Sequence, residues 1–362
     1  MKPFLKFRFF WAVALAASVL AGTNTRADIT IRLDVKAVLN PATGLRQPGV
    51  NDAAFANCVA EMNAMLQSFG RGYRFQWNGN ALQNVGGLNQ FNSGPSRYYD
   101  VDFVNATNGG VLKDQFEANA IANPATYGWD ASAVNIYIVR FGGANWNVCS
   151  FPDEQIILVN GVRGYTNSST VLHEIGHYFN LSHTFNGRQN LNSDDTTCTN
   201  GCSCAQLIGG GSDGVADTIL DHDCWDSQND IAQGNYGLSY ASLNASQTAN
   251  VDNMWWNLMS YHNRQHVTDR FTPDQLDRWT DSANGDRPSV RTGRTRFVAI
   301  TGNDLGTGAS TSRYRTVARG VTVVNDSDDI VLLRAGNYNE PQTITKALTL
   351  RATRGSATIG KP

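Results

Sequence analysis

From Ile29 the chain alternates with a period of two. Ile29, Ile31, Leu33 and Val35 face one way, and Thr30, Arg32, Asp34 and Lys36 the other. This is the pattern of a half-buried strand. The period then changes: Phe55, Val59, Met62 and Leu66 recur at three and four residues, which predicts a helix stopped by Gly70. Apolar runs at 99–104, 134–141 and 155–159 predict further strands of a twisted mixed sheet, one of them bordering a cleft. Ser168, Ser169 or Thr170 is placed to cap a helix that carries His173 and His177, and Thr272-Pro273-Asp274-Gln275 opens a last helix ending near Trp279.

Beyond that helix the texture changes. Residues 282–296 are rich in Ser, Gly, Arg and Thr and read as a linker. From 297 to 362 short β-type pieces, at 297–300, 330–333, 343–344 and 348–350, alternate with Gly, Asn and Asp turns. They resemble the first coils of a right-handed parallel β-helix, a fold in which one coil needs stacked neighbours to bury its faces. The expected division is therefore a signal segment over 1–27, a main domain over 28–281, a linker over 282–296 and a small, incomplete all-β segment over 297–362.

Lys2, Lys6 and Arg8 precede an apolar run from Phe9 to Ala21, too short for a comfortable membrane span. The pattern reads as a secretory signal cleaved after Ala21 or Ala27, and places the mature chain outside the cytoplasm, secreted or periplasmic, with no membrane contact after cleavage. A net charge of −2 gives no electrostatic footprint for nucleic acid. Six cysteines, Cys58, Cys149, Cys198, Cys202, Cys204 and Cys224, fit an oxidising compartment and read as disulfides. Cys202 and Cys204 are too close to join each other. That leaves Cys198 with either of them, the other with Cys224, and Cys58 with Cys149.

The chemistry is concentrated in the eleven residues from His173 to His183. On a helix His173 and His177 lie one turn apart, so both imidazoles can reach one metal. Glu174, beside the first ligand, can act on a water at that metal without binding it. His183 follows His173 by ten residues, which would be about 15 Å along a continuous helix. The helix must break first. Asn180 is the residue between them most tolerant of left-handed geometry.

The long zinc motif, together with Asn257-Leu258-Met259-Ser260-Tyr261, resembles the metzincin peptidases and, among them, the pappalysin family. The further points of likeness are Thr184-Phe185, the segment Asp213-Gly214-Val215-Ala216-Asp217-Thr218, and Phe271-Thr272-Pro273-Asp274-Gln275, so the likeness spans roughly 29–280. Asn180 stands where metzincins usually have glycine. The resemblance implies an α+β catalytic domain with an active-site helix, a Met-turn and a C-terminal helix. It also implies one catalytic zinc on His173, His177 and His183, with Met259 as the floor beneath it and Tyr261 stabilising the oxyanion. A structural calcium at Asp213, Asp217 and the main chain of Thr218 is implied as well. The expected activity is that of a secreted zinc endopeptidase acting on protein or peptide through a metal-activated water, with Glu174 as general base. The alternatives are an adhesion or glycan-binding protein with a vestigial protease domain, its C-terminal segment meeting a surface or glycan, and a zinc amidase. His262, Asn263, Arg264 and His266 are expected near the primed-side pocket.

Overall fold

The computed structural model describes residues 28–88, 98–100, 109–140, 155–162, 164–186, 212–222, 225–262 and 268–360. β1 (Ile29–Val38) is followed by α1 (Asp52–Ser68), β2 (Tyr73–Trp77) and β3 (Gln83–Val85). Next come α2 (Gly109–Ala122), α3 (Pro124–Tyr127), β4 (Val134–Val139) and β5 (Ile156–Asn160). β1 lies between β2 and β4, β5 pairs with β4, and β3 runs along the far end of β1. All these pairings are parallel.

The described strands of the expected mixed sheet all run parallel, a mixed α/β arrangement compatible with the expected catalytic domain. The reason is local: β1 and β2 are joined across α1, and β3 and β4 across α2 and α3, the crossover that parallel strands require. At 98–100 the chain forms a 3₁₀ turn, not the expected strand, and 101–104 lie outside the described residues. The signal segment and Cys149, Cys198, Cys202, Cys204 and Cys224 also lie outside them. Cys58 is buried, and its burial pushes the thiol pKa up. No helix among the described residues is long and apolar enough to cross a membrane.

The two faces of the sheet carry separate cores. On one, Leu33, Val35, Ile136 and Ile157 pack against Phe55, Met62 and Leu66 of α1. On the other, Tyr137 and Leu158 meet Phe116 of α2 and Tyr98. The second face also receives Lys36, fully buried and paired with Asp34 at 2.7 Å. Burial lowers its pKa from 10.5 to about 8.

α4 (Ser168–Tyr178) enters the first core through Val171, Leu172 and Ile175. Its cap is Asn167, whose side chain accepts from Thr170 N at 2.9 Å, rather than one of the three hydroxyl residues that follow. Ser168 is committed elsewhere, donating to Glu61 of α1 at 2.7 Å. Past α4 the chain forms α5 (Gln228–Tyr236) and α6 (Ala245–Trp255), around a small core of Trp225, Ile231, Val251 and Met254. α7 (Pro273–Gly285) opens on the expected Thr272–Gln275 capping box, runs six residues past Trp279, and stacks Trp279 on Phe179 at 4.6 Å.

Residues 282–296 are packed rather than extended as a linker. Thr292 N donates to Thr30 O at 3.0 Å, and Ile31 bridges to Arg291. The C-terminal part consists of β6 (Thr295–Val298), α8 (Val317–Thr322), β7 (Ile330–Tyr338) and β8 (Thr349–Ile359), with the strands parallel in the order β6-β7-β8. Residues 343–344 are not in a strand. This part sits on the catalytic half. Ile330 joins the first core, Arg334 pairs with Asp277 of α7, and Arg351 pairs with Asp28.

Candidate metal centre

α4 presents His173 and His177 from successive turns, both buried. The helix ends in a Schellman motif. Asn180 has φ 71°, its N–H donates to His177 O at 2.9 Å, and Leu181 N donates to Gly176 O at 3.0 Å. This left-handed residue, expected from the spacing, turns the chain so that His183 comes back over the helix.

The Nε2 atoms of His173, His177 and His183 then lie 3.1–3.2 Å apart pairwise. His173 Nδ1 is 2.5 Å from Leu258 O, and His177 Nδ1 is 2.7 Å from Leu181 O. A carbonyl only accepts, so each Nδ1 carries its ring's proton and each Nε2 of the neutral rings presents a lone pair. Lone pairs converging at this distance repel unless a cation lies among them. Tetrahedral zinc with bonds of about 2.0–2.1 Å separates its ligand atoms by about 3.4 Å, so the triad fits that ion. The three histidines form the group of metal-ligating side chains found among the described residues.

Glu174 is buried beside His173. Leu258 and Met259 lie in the tight turn after α6, fully buried under α4. A Cβ placed on Gly176 would come within 2.7 Å of Met259 Sδ, so this glycine is what lets the turn approach the helix. Asn257 Oδ1 accepts from Met259 N at 2.9 Å and shapes the turn. Tyr261 leaves the turn half-exposed, its ring 4.8 Å from that of His183 and 6.0 Å from that of His173. Phe185 stacks on His183 at 4.7 Å.

Asp213 and Asp217, the calcium candidates, act as acceptors for α7. Asp213 takes Gln275 Nε2 at 2.9 Å and the Thr218 hydroxyl at 2.6 Å. Asp217 takes the Thr272 hydroxyl at 2.6 Å and Asp274 N at 2.8 Å. Burial raises the pKa of both carboxyls. The Thr218 hydroxyl also donates to Val215 O at 2.9 Å.

His262 lies buried beside the site, stacked on Trp255 at 5.2 Å, while Asn263, Arg264 and His266 lie outside the described residues. Sequence reasoning missed its partner Asp221, a fully buried carboxylate beneath the turn. No periodicity or spacing marks Asp221, because its partners come from three separate stretches of chain.

A parallel α/β layer carrying two helical histidines, a third returned by a helix-ending turn, and Met259 in a buried turn below them are an arrangement compatible with a metal-dependent hydrolase. Residues 125–284 match the peptidase family M43, described as Pregnancy-associated plasma protein-A. The match over that stretch supports a pappalysin-type domain and a metallopeptidase activity. The match begins later than the likeness read from the motifs, within α3 rather than at β1. A search of curated proteins finds no match. A solved structure described as "Structure of a chaperone-substrate complex" aligns over 66% of this chain and 36% of its own length, at 9% identity and a TM-score of 0.26, a likeness too weak to bear on fold or function.

Proposed function

We propose that the protein is a zinc-dependent endopeptidase in which Glu174 is the general base, Tyr261 the oxyanion donor and Met259 the floor of the metal site. The observation that supports this most directly is the convergence of three Nε2 atoms at 3.1–3.2 Å with two of the opposite Nδ1 protons committed to carbonyls. Bound zinc supplies a Lewis acid that polarises the scissile carbonyl and makes water a nucleophile near neutral pH. Glu174, next to the first ligand, takes the proton of the attacking water and passes it to the leaving amine. The Tyr261 hydroxyl donates to the oxyanion developing on the substrate carbonyl. A vestigial protease in an adhesion protein would have no reason to keep ligands, base and tyrosine together. The charged and apolar pattern of residues 1–27 supports export of the chain.

The test is Glu174→Ala in the full chain, with metal content and hydrolysis of an unfolded protein such as casein both measured. We expect about one zinc per chain with nearly all turnover lost; turnover equal to wild type would reject the mechanism. A calcium-selective chelator, applied before a zinc chelator, tests the structural calcium separately. Loss of melting temperature in that first step, restored by calcium, supports it.

A further inference from the structure

We propose that Asp221 is a positioning residue for this centre, one carboxylate that fixes both the loop of the third histidine and the backbone on either side of Tyr261. The inference rests on the zinc-peptidase reading. Asp221 Oδ2 accepts from the hydroxyls of Thr184 and Ser260, the latter at 2.9 Å. Its Oδ1 accepts from His262 Nε2 at 2.7 Å and from His222 N at 2.9 Å.

The positions of the donors carry the argument. Thr184 directly follows His183, and Ser260 and His262 are the two chain neighbours of Tyr261. Tyr261 is itself 48% exposed, so packing holds only part of its side chain. Ser260 and His262 are buried, and both end on the same carboxylate. A tyrosine that must donate at one point in space therefore takes its position from backbone pinned on each side. His262 is fixed in turn from α6 by its stack on Trp255. Bonds to an ionised carboxylate are about twice as strong as neutral ones, and a buried donor that loses its acceptor keeps the full desolvation cost.

The experiment uses the full chain with Thr184→Val, Thr184→Ser, Ser260→Ala and Asp221→Asn. It reads zinc loss to excess chelator, the absorption spectrum of the cobalt-substituted protein, kcat and KM on a peptide, and the melting temperature. Removing a group that orients a metal ligand costs about 10- to 100-fold in metal affinity or activity. We expect Thr184→Val to speed zinc loss by about tenfold or more, with a changed cobalt spectrum, and Thr184→Ser to restore both. Ser260→Ala should lower kcat by about tenfold while KM moves by less than about twofold. Asp221→Asn should show both defects; if it fails to fold, the single-hydroxyl variants still decide. Variants that only lower the melting temperature, with zinc loss, cobalt spectrum and kcat unchanged well below it, would overturn the proposal. Zinc loss is read without substrate, so an inactive wild type would count against the peptidase reading while leaving the Thr184 comparison able to test Asp221.

Discussion

Asn180 is the one described residue besides Arg354 that holds a positive φ without being glycine, and replacing it separates backbone geometry from metal chemistry. The perturbation is Asn180→Val, with Asn180→Gly as its control. A non-glycine residue in left-handed geometry costs about 1–2 kcal/mol, and a β-branched one has no relaxed rotamer there. If the turn opens to relieve that strain, it gives up the bonds from Asn180 N and Leu181 N to the helix end, each worth about 1 kcal/mol. The two costs are alternatives, so the expected loss for valine is about 1–2 kcal/mol. Glycine removes the strain but has more unfolded-state entropy to lose, about 0.5–1 kcal/mol, so the two effects nearly cancel. The same turn aims Leu181 O at His177 Nδ1 and returns His183, so valine should also speed zinc loss. Urea unfolding of the zinc-loaded protein and a chelator chase read the two effects. A valine variant that unfolds at the wild-type urea midpoint and keeps zinc as long would refute the geometry.

Gly176→Ala drives a methyl to within 2.7 Å of Met259 Sδ in a fully buried spot. Overpacking of about 1–3 kcal/mol, less a helix-propensity gain of about 1 kcal/mol, predicts a net loss with faster zinc release; wild-type values in both assays would contradict it. Lys36 has a folded-state pKa of about 8 against 10.5, so the unfolded chain binds the extra proton across that window. Stability should accordingly rise with pH through the window, the burial cost being complete below it, and Lys36→Met should remove the rise; equal slopes in the two proteins exclude Lys36 as its source. Ending the chain at Gly293 strips Arg334 and Arg354 from Asp277 and removes Ile330 from the first core, so the shortened protein should melt lower and lose zinc faster. An unchanged melting temperature would show that residues 297–360 are dispensable to the catalytic half.

The ligand triad, the break at Asn180, strand β1 and the helices over 52–68 and 273–285 were legible because each is written in local spacing or in a cap. α5 and α6 were not. Only Ile231 and Ala232 of the first and Val251 and Met254 of the second are buried, too few to set a helical period in a segment rich in Asn, Asp and Gly. One signal was there to be used: Asn244 and Gln247 form a capping box three residues apart. The parallel sense of the sheet and the inward turn of Lys36 depend on partners about a hundred residues away, such as Asn135 at 2.5 Å, which no local pattern records. The linker reading failed for a related reason. A composition rich in Ser, Gly and Arg looks solvated, yet Arg291 is buried, donating to the carbonyls of Ala283 and Gly293.

Segments that carried the family resemblance separately in the sequence prove to be one structure under the metal site. His173 keeps its proton on Nδ1 because Leu258 O faces it, and Leu258 is held in place by its own N–H on Arg270 O at 2.8 Å. Asn257, the residue before it, receives Met259 N on Oδ1 and donates through Nδ2 to Gln275 at 3.0 Å. Gln275 closes the capping box of α7 by accepting from Thr272 N, and its amide group donates to Asp213. Asp217 ties down Thr272 and Asp274 N, and Arg354 of β8 lies against Asp274 and Asp217. One glutamine side chain thus joins the methionine turn, the α7 cap and the acidic loop. On the proposed zinc reading, a change at Asp213 or Gln275 would act on His173 through the position of a single carbonyl, and residues that touch neither metal nor substrate would then belong to the chemistry of the site.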